Sequence, residues 1–335
     1  MTKQLVAGCK QKAGQLLGHV ATIDAARDMD VLRGIVGDPK LTYVGKSYGT
    51  FLGALYANLF PQRVRALILD GAVDPADSSE SSLRTQSRGF ETAMTAFLQN
   101  CVSNGCSLGS SYDEALQNLN GLFASTAANP LPGDSYSASD GRVVNRPVLE
   151  YGIASALYSR GDWSYLRQAL ADAQHGDGGR ILALVDRLTE RDSDGHYTNL
   201  IESNISINCV DRPSPRNLAA YEKDASTWGK ESPHFGAYEA WSLLPCAYWP
   251  VPAVTQAVPL RAKGAPPILV IGTSRDPATP YVDAQRLAKE LDSGVLLSYD
   301  GDGHTVYGDG ESGCVDRIGD AYLLHLTLPQ PGTRC

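Results

Sequence analysis

Leu41-Thr42-Tyr43-Val44-Gly45-Lys46-Ser47-Tyr48-Gly49-Thr50 reads as a short β-prone run that breaks at once into a Gly-x-Ser-x-Gly. The apolar stretch Phe51-Leu52-Gly53-Ala54-Leu55-Tyr56-Ala57-Asn58-Leu59-Phe60 follows without a spacer and has helical character. Strand, sharp turn bearing a serine, then helix is the setting of a nucleophile elbow. Both glycines answer the same demand, since a Cβ at either position would strike backbone across so tight a turn. Ser47 is then held at a helix N-terminus, where unpaired N–H groups and the helix dipole favour developing negative charge.

A bare Gly-x-Ser-x-Gly carries little weight in a chain with 33 glycines, and a second copy, Gly105-Cys106-Ser107-Leu108-Gly109, supplies a comparison. This copy follows an amphipathic helix-like run (91–100) and the loop Cys101-Val102-Ser103-Asn104. It leads into Ser110-Ser111-Tyr112-Asp113, a loop and helix cap. No strand runs into it, so Ser107 is expected in a loop.

Outward from the elbow, residues 4–18 and Asp24 to Val36 have helical patterning, and Arg65-Ala66-Leu67-Ile68-Leu69-Asp70-Gly71 reads as a second, buried strand. The α/β alternation returns near residue 266. Pro267 to Gly272 is a strand, Val282 to Leu291 an amphipathic helix, Gly294 to Tyr299 a strand and Gly313 to Leu326 a closing helix. This is the signature of a parallel α/β sheet. Between Asp74 and Pro252 helical segments dominate (82–100, 112–127, 148–159, 163–174, 180–190 and 217–228), separated by polar loops such as 132–141. That stretch exceeds any simple crossover and is expected as an inserted helical domain. The expected organisation is a core in two parts, 1–74 and 253–335, around an insertion at 75–252.

The last two strands run into Thr273-Ser274-Arg275-Asp276-Pro277-Ala278-Thr279-Pro280 and Asp300-Gly301-Asp302-Gly303-His304. Groups that do chemistry in open α/β sheets gather at the carboxyl ends of strands. Ser47, Asp276, His304 is the order nucleophile, acid, base of hydrolase folds. In that arrangement His304 Nε2 takes the Ser47 proton, Asp276 fixes the imidazole tautomer, and the Tyr48 backbone N–H supplies one oxyanion donor. Of the six histidines, His19, His175, His196, His234 and His325 lack a strand leading in. Asp70, which ends the second strand, is the alternative acid; Asp300 and Asp302 read as turn-formers beside glycine.

Composition narrows the partners. The chain has 335 residues, is 43% hydrophobic and 20% charged, and carries a formal net charge of −8, which argues against nucleic acid or an anionic membrane. No apolar run reaches spanning length, and no h-region follows Met1-Thr2-Lys3-Gln4. Among the seven cysteines there is no Cys-x-x-Cys or Cys/His cluster with zinc spacing, so neither metal nor cofactor is expected. Cys101 and Cys106 straddle a short loop, Cys209 and Cys246 flank the end of the middle region, and Cys314 and Cys335 bracket the closing helix. Three disulfides in an oxidising compartment are expected, leaving Cys9 alone; seven reduced cytosolic thiols are the alternative.

Several motifs extend the picture: Gly45 to Thr50, Leu69-Asp70-Gly71-Ala72-Val73-Asp74-Pro75, Asn208-Cys209-Val210-Asp211, Cys246-Ala247-Tyr248-Trp249-Pro250, Asp276 to Pro280, Gly303-His304 and the terminal Cys335. In these the chain resembles, over essentially its whole length, the tripeptidyl-aminopeptidase-like branch of the actinobacterial α/β-hydrolase serine peptidases, relatives of proline iminopeptidase. The resemblance implies an α/β-hydrolase fold with a helical lid, and an exported or envelope-associated enzyme that removes short peptides from substrate N-termini. It also implies several strands, a Gly-Gly-Pro-Gly-like oxyanion loop and an export signal ahead of the elbow. Only 46 residues precede Ser47. The expectation is an N-terminally truncated reading of a longer gene, with N-terminal strands of the sheet missing and the mate of Cys9 outside it.

An exopeptidase of this kind needs a carboxylate for the free α-amino group of its peptide substrate, and Asp211 and Glu202 are the candidates. Two other functions stay open: an esterase or lipase with the same triad, and a non-catalytic truncated product.

Overall fold

Val64-Arg65-Ala66-Leu67-Ile68-Leu69-Asp70 is apolar on both faces over most of its length, as a strand covered on both sides must be. In the computed structural model, which describes residues 1–137 and 140–335, it is an inner strand of a parallel sheet. The strands are β1 (Leu41–Lys46), β2 (Val64–Asp70), β3 (Leu131–Pro132), β4 (Val143–Val144), β5 (Ile268–Arg275) and β6 (Gly294–Asp302). β1, β2, β5 and β6 lie in the order β1-β2-β5-β6 with every pairing parallel, and β3 and β4 form a separate antiparallel pair. Lys46 pairs with Asp70, and Asp70 with Ile271, so β1 and β2 end level with each other while β5 runs on to Arg275.

Alternation along the strands builds two cores. Leu67, Leu69, Ile268 and Val270 pack with Phe51, Ala54 and Leu55 of the helix Tyr48–Leu59 and with Ala284 and Leu287 of the helix Tyr281–Glu290. Ala66, Ile68, Leu269, Ile271 and Leu297 face the other way, onto Val315 and Tyr322 of the helix Gly313–His325. Tyr322 keeps its hydroxyl satisfied there by accepting from the Leu67 N–H at 3.0 Å and donating to the Pro267 carbonyl at 2.6 Å. Residues 333–335 run along β6, where the Cys335 N–H donates to Ser298 O at 2.8 Å.

The chain divides into two compact units, Met1–Gly89 with Glu202–Cys335, and Phe90–Ile201. The helical span expected at 75–252 is thus shared between them. Residues 202–252 fall in the unit that holds the sheet, with their apolar side chains buried against the first helices of the chain. Cys209, Val210, Tyr221, Leu243, Cys246 and Trp249 form one cluster with Val6, Leu17 and Ala21 from the first helices of the chain. The second unit has its own core, with Leu119, Phe123, Leu149, Ile153, Trp163, Leu166 and Ile181 all buried. In the same unit Arg142 makes a paired contact with Asp186 at 2.5 and 2.9 Å. Ala138 and Ser139, within the loop expected at 132–141, lie outside the described residues; Asp134–Ser137 in that loop is a single helical turn.

All three expected disulfides are present, with Cα–Cα separations of 4.9, 4.9 and 5.8 Å for Cys101–Cys106, Cys209–Cys246 and Cys314–Cys335. Cys9 is the free cysteine and packs, half-buried, against the cluster that holds Cys209 and Cys246. Among the described residues no helix is long and apolar enough to cross a membrane.

Candidate active site

The turn after β1 is as tight as its two glycines imply. A Cβ on Gly45 would lie 2.3 Å from the Gly49 carbonyl oxygen, and one on Gly49 would lie 3.1 Å from the Tyr43 hydroxyl. Ser47 itself has φ 54° and ψ −124°, a conformation rarely open to a residue with a side chain. Backbone strain of this kind persists only where neighbours over-determine it. Here the Ser47 N–H donates to Asp70 O at 2.9 Å, and Ser47 O accepts from Thr50 N at 2.9 Å and Thr50 Oγ1 at 2.6 Å. Thr50 Oγ1 in turn accepts from Val73 N at 2.9 Å, tying the elbow to the loop after β2. The second Gly-x-Ser-x-Gly lies in a loop, immediately after the helix Ser79–Ser103 and its Cys101–Cys106 bridge.

The loops after β5 and β6 bring Asp276 and His304 together. His304 Nδ1 stands 2.9 and 3.0 Å from the two Asp276 carboxylate oxygens. Asp276 is 2% exposed and also accepts from Ala278 N and Thr279 N, both at 2.9 Å, and from Thr279 Oγ1 at 3.0 Å. Burial opposes the imidazolium, but the charge and hydrogen bond of Asp276 outweigh it, and the His304 pKa lies above its ordinary value. With Nδ1 engaged by the carboxylate, Nε2 is the nitrogen left for chemistry. Ser47 and His304 adjoin the same turn, Asp70-Gly71. The Ser47 amide is bonded to Asp70 O, and a Cβ on Gly71 would come within 3.2 Å of His304 Cε1. Gly71 has φ 65°, a second reason for glycine there.

Asp70 does not share the histidine Nδ1 with Asp276. Its Oδ2 accepts from Val306 N and Tyr307 N, each at 2.8 Å. Asp300 and Asp302 are engaged by Arg275 of β5. Tyr48, whose N–H heads the elbow helix, sends its side chain to Asp211, with its hydroxyl 3.3 Å from Asp211 Oδ2 and in contact with Thr22 Oγ1. Asp211 is 3% exposed and also accepts from Thr22 N at 2.7 Å and from Thr22 Oγ1. Glu202, in the first turn of the helix Leu200–Asp211, is exposed. The structure therefore surrounds the Asp211 carboxylate with protein donors and leaves that of Glu202 open to solvent.

Sequence reasoning missed Thr279 and the contacts of Asp70. Thr279 had a signal, because a threonine three residues after an aspartate is the spacing at which the pair can bond within one turn. Asp74, Asp77 and Asp283 also converge, with Arg286 Nη1 at 3.7, 3.4 and 3.7 Å as their counter-cation.

A family model described as TAP-like protein matches residues 232–335, the part that carries Asp276 and His304. Over its whole length the chain is 40% identical to the serine protease Hip1 of Mycobacterium tuberculosis, covering 65% of that protein. It is 36% identical to a carboxylesterase B of the same species, with 99% of this chain and 64% of that protein aligned. For the tripeptidyl aminopeptidase of Streptomyces lividans the figures are 31%, 97% and 60%. The chain has an α/β-hydrolase fold and is similar to the TAP-like proteins. The chain spans less than two thirds of the length of each of these curated relatives. Its parallel sheet, with the elbow on β1 and a histidine after β6, is that of the α/β-hydrolase fold.

Proposed function

We propose that the chain is a serine peptidase of the exopeptidase type, removing short peptides from free N-termini through an acyl-enzyme. Ser47 Oγ attacks the scissile carbonyl while His304 Nε2 accepts its proton, and Asp276 stabilises the resulting imidazolium. The Tyr48 N–H donates to the oxyanion. His304 then returns the proton to the departing amine. A water deprotonated by the same Nε2 splits the ester at Ser47, releasing the peptide acid and restoring the serine. The observation that carries this reading is the His304–Asp276 pair held beside the turn that anchors the strained Ser47.

The names of the Hip1 and tripeptidyl aminopeptidase relatives favour peptide substrates. The relative named carboxylesterase B favours a second reading, an esterase using the same three residues. Three disulfides fit an oxidising compartment, so we assign the protein to the exterior or the cell envelope. The test pairs fluorophosphonate labelling of wild type and Ser47→Ala with turnover of a tripeptidyl arylamide and a p-nitrophenyl ester. Labelling lost in Ser47→Ala with arylamide turnover supports the peptidase; turnover of the ester alone supports the esterase. Absence of labelling and of turnover would leave a non-catalytic product.

A further inference from the structure

Asp70 lies fully buried at the end of β2, between the strand that delivers Ser47 and the strand that delivers Asp276. Its backbone and side chain serve different parts of the site. The carbonyl accepts the Ser47 N–H, whereas Oδ2 accepts two consecutive amides, Val306 and Tyr307, from the loop that begins at His304. Two successive N–H groups converging on one anion form a nest. The residue between His304 and this nest, Thr305, has φ 66°. A β-branched residue in the left-handed region is a genuine outlier and needs an external hold.

That hold is what Asp70 supplies. We propose that Asp70 is a positioning residue for His304, its carboxylate clamping the Thr305–Tyr307 turn so that the imidazole keeps one orientation. Asp276 then fixes the ring from its Nδ1 side, while Asp70 fixes the backbone that carries the ring. Asp70 Oδ1 is buried with no hydrogen-bond partner among the described residues, so the group is not optimised for stability alone. A second clasp crosses the same gap: Lys46, the residue before Ser47, pairs with Asp309 at 2.6 Å, and Asp309 also accepts from Thr305 Oγ1 at 3.1 Å. Nucleophile and base are thereby indexed to one residue, through its carbonyl on one side and its carboxylate on the other.

This inference rests on the reading of Ser47 and His304 as nucleophile and base, and two measurements separate its fate from that of the reading. In kinetics on a tripeptidyl arylamide, Asp70→Ala is expected to lower kcat at least about 10-fold with KM within about twofold, since two charge-assisted bonds are lost away from the substrate. Asp70→Asn, whose amide oxygen still accepts both N–H groups, is expected to recover most of kcat. Wild-type kcat in folded Asp70→Ala, or equal losses in both variants, would overturn the clamp.

Hydrogen exchange on the wild-type chain needs no variant: Val306 and Tyr307 amides are expected to be protected, and free exchange at both overturns the proposal. If the wild type neither labels nor turns over, the functional reading fails. The low-field His304 Nδ1–H resonance then decides, since its loss in Asp70→Ala and retention in Asp70→Asn support the clamp and its persistence in both refutes it.

Discussion

Thr279 Oγ1 donates a hydrogen bond to Asp276 Oδ2 at 3.0 Å, three residues along the same turn. The same oxygen is 3.3 Å from His304 Nδ1, so the threonine borders both members of the pair. A hydrogen bond to a charged group contributes about 1.5–3 kcal/mol, which corresponds to about 10- to 100-fold in rate if it orients the acid. Thr279→Val keeps the shape and removes the donor, so kcat on the arylamide is expected to fall within that range, while Thr279→Ser retains most activity. Unchanged kcat in Thr279→Val would show that the backbone amides of Ala278 and Thr279 suffice to hold Asp276.

In the proposed mechanism the base works only when neutral, and the His304 pKa is raised from its ordinary value because the Asp276 charge and hydrogen bond outweigh the burial that opposes its cation. The acid limb of kcat/KM is therefore expected above 6.5, and in Asp276→Asn it should move down while kcat falls by about 10⁴. The stability contribution has the opposite pH sense to activity. A group whose folded pKa is raised stabilises fully below its unfolded value, and the gain is lost as pH rises through the folded one. Urea midpoints of wild type minus His304→Gln, followed upward from about pH 5, are expected to shrink across that window.

Gly45→Ala places a methyl 2.3 Å from the Gly49 carbonyl oxygen, and that oxygen belongs to the elbow backbone and cannot rotate away. Soluble protein from this variant is expected to have lost fluorophosphonate labelling at Ser47. Retained labelling at the wild-type rate would mean that the turn can open without misplacing the serine.

Cys209–Cys246 closes a separation of 37 residues in the cluster around Trp249. The chain-entropy relation assigns a loop of that length about 4 kcal/mol. Cys209→Ala with Cys246→Ala should lower the denaturant midpoint accordingly. A much smaller shift would place most of the stability of 202–252 in its apolar packing.

Glu202 is exposed, whereas the Asp211 oxygens already accept from Thr22 and Tyr48. If Glu202 receives the substrate α-ammonium group, Glu202→Gln raises KM for a free-amine tripeptide arylamide and leaves the N-acetylated analogue untouched. An Asp211→Asn variant is expected instead to reduce kcat through Tyr48, whose N–H is the oxyanion donor in the proposed mechanism. Equal effects on both substrates in Glu202→Gln would remove Glu202 from recognition.

The elements around Ser47, Asp276 and His304 were legible because each signal is local: an apolar run, a glycine-marked turn, and a polar residue where a strand stops. Two of the three cysteine pairs were legible for a similar reason, since Cys101–Cys106 straddles a short loop and Cys314–Cys335 brackets the closing helix. The Asp70 clamp was not, because its partners lie 236 and 237 residues away and no local pattern records such a contact. Nor was the helix Leu200–Asp211 expected. Its Ile and Val residues are indifferent helix formers, and Ser206 and Asn208 bond back to carbonyls four residues earlier. What holds it helical is burial of Cys209 and Val210 against Leu17 and Ala21, which only the folded chain supplies. The division at residues 90 and 202 was hidden for the same reason: helical patterning is alike on both sides, and only the packing partner differs.

β2 and β5 are neighbours in the sheet, yet nearly two hundred residues of chain separate them. On a translating ribosome Ser47 emerges long before Asp276 and His304, and domains form N-terminal first. Through that interval the nascent polypeptide carries an alcohol with no base to activate it. On the proposed mechanism, the order of strands along the gene thus acts as a timer, keeping the reagent dormant until synthesis of the unit that holds the sheet is all but finished.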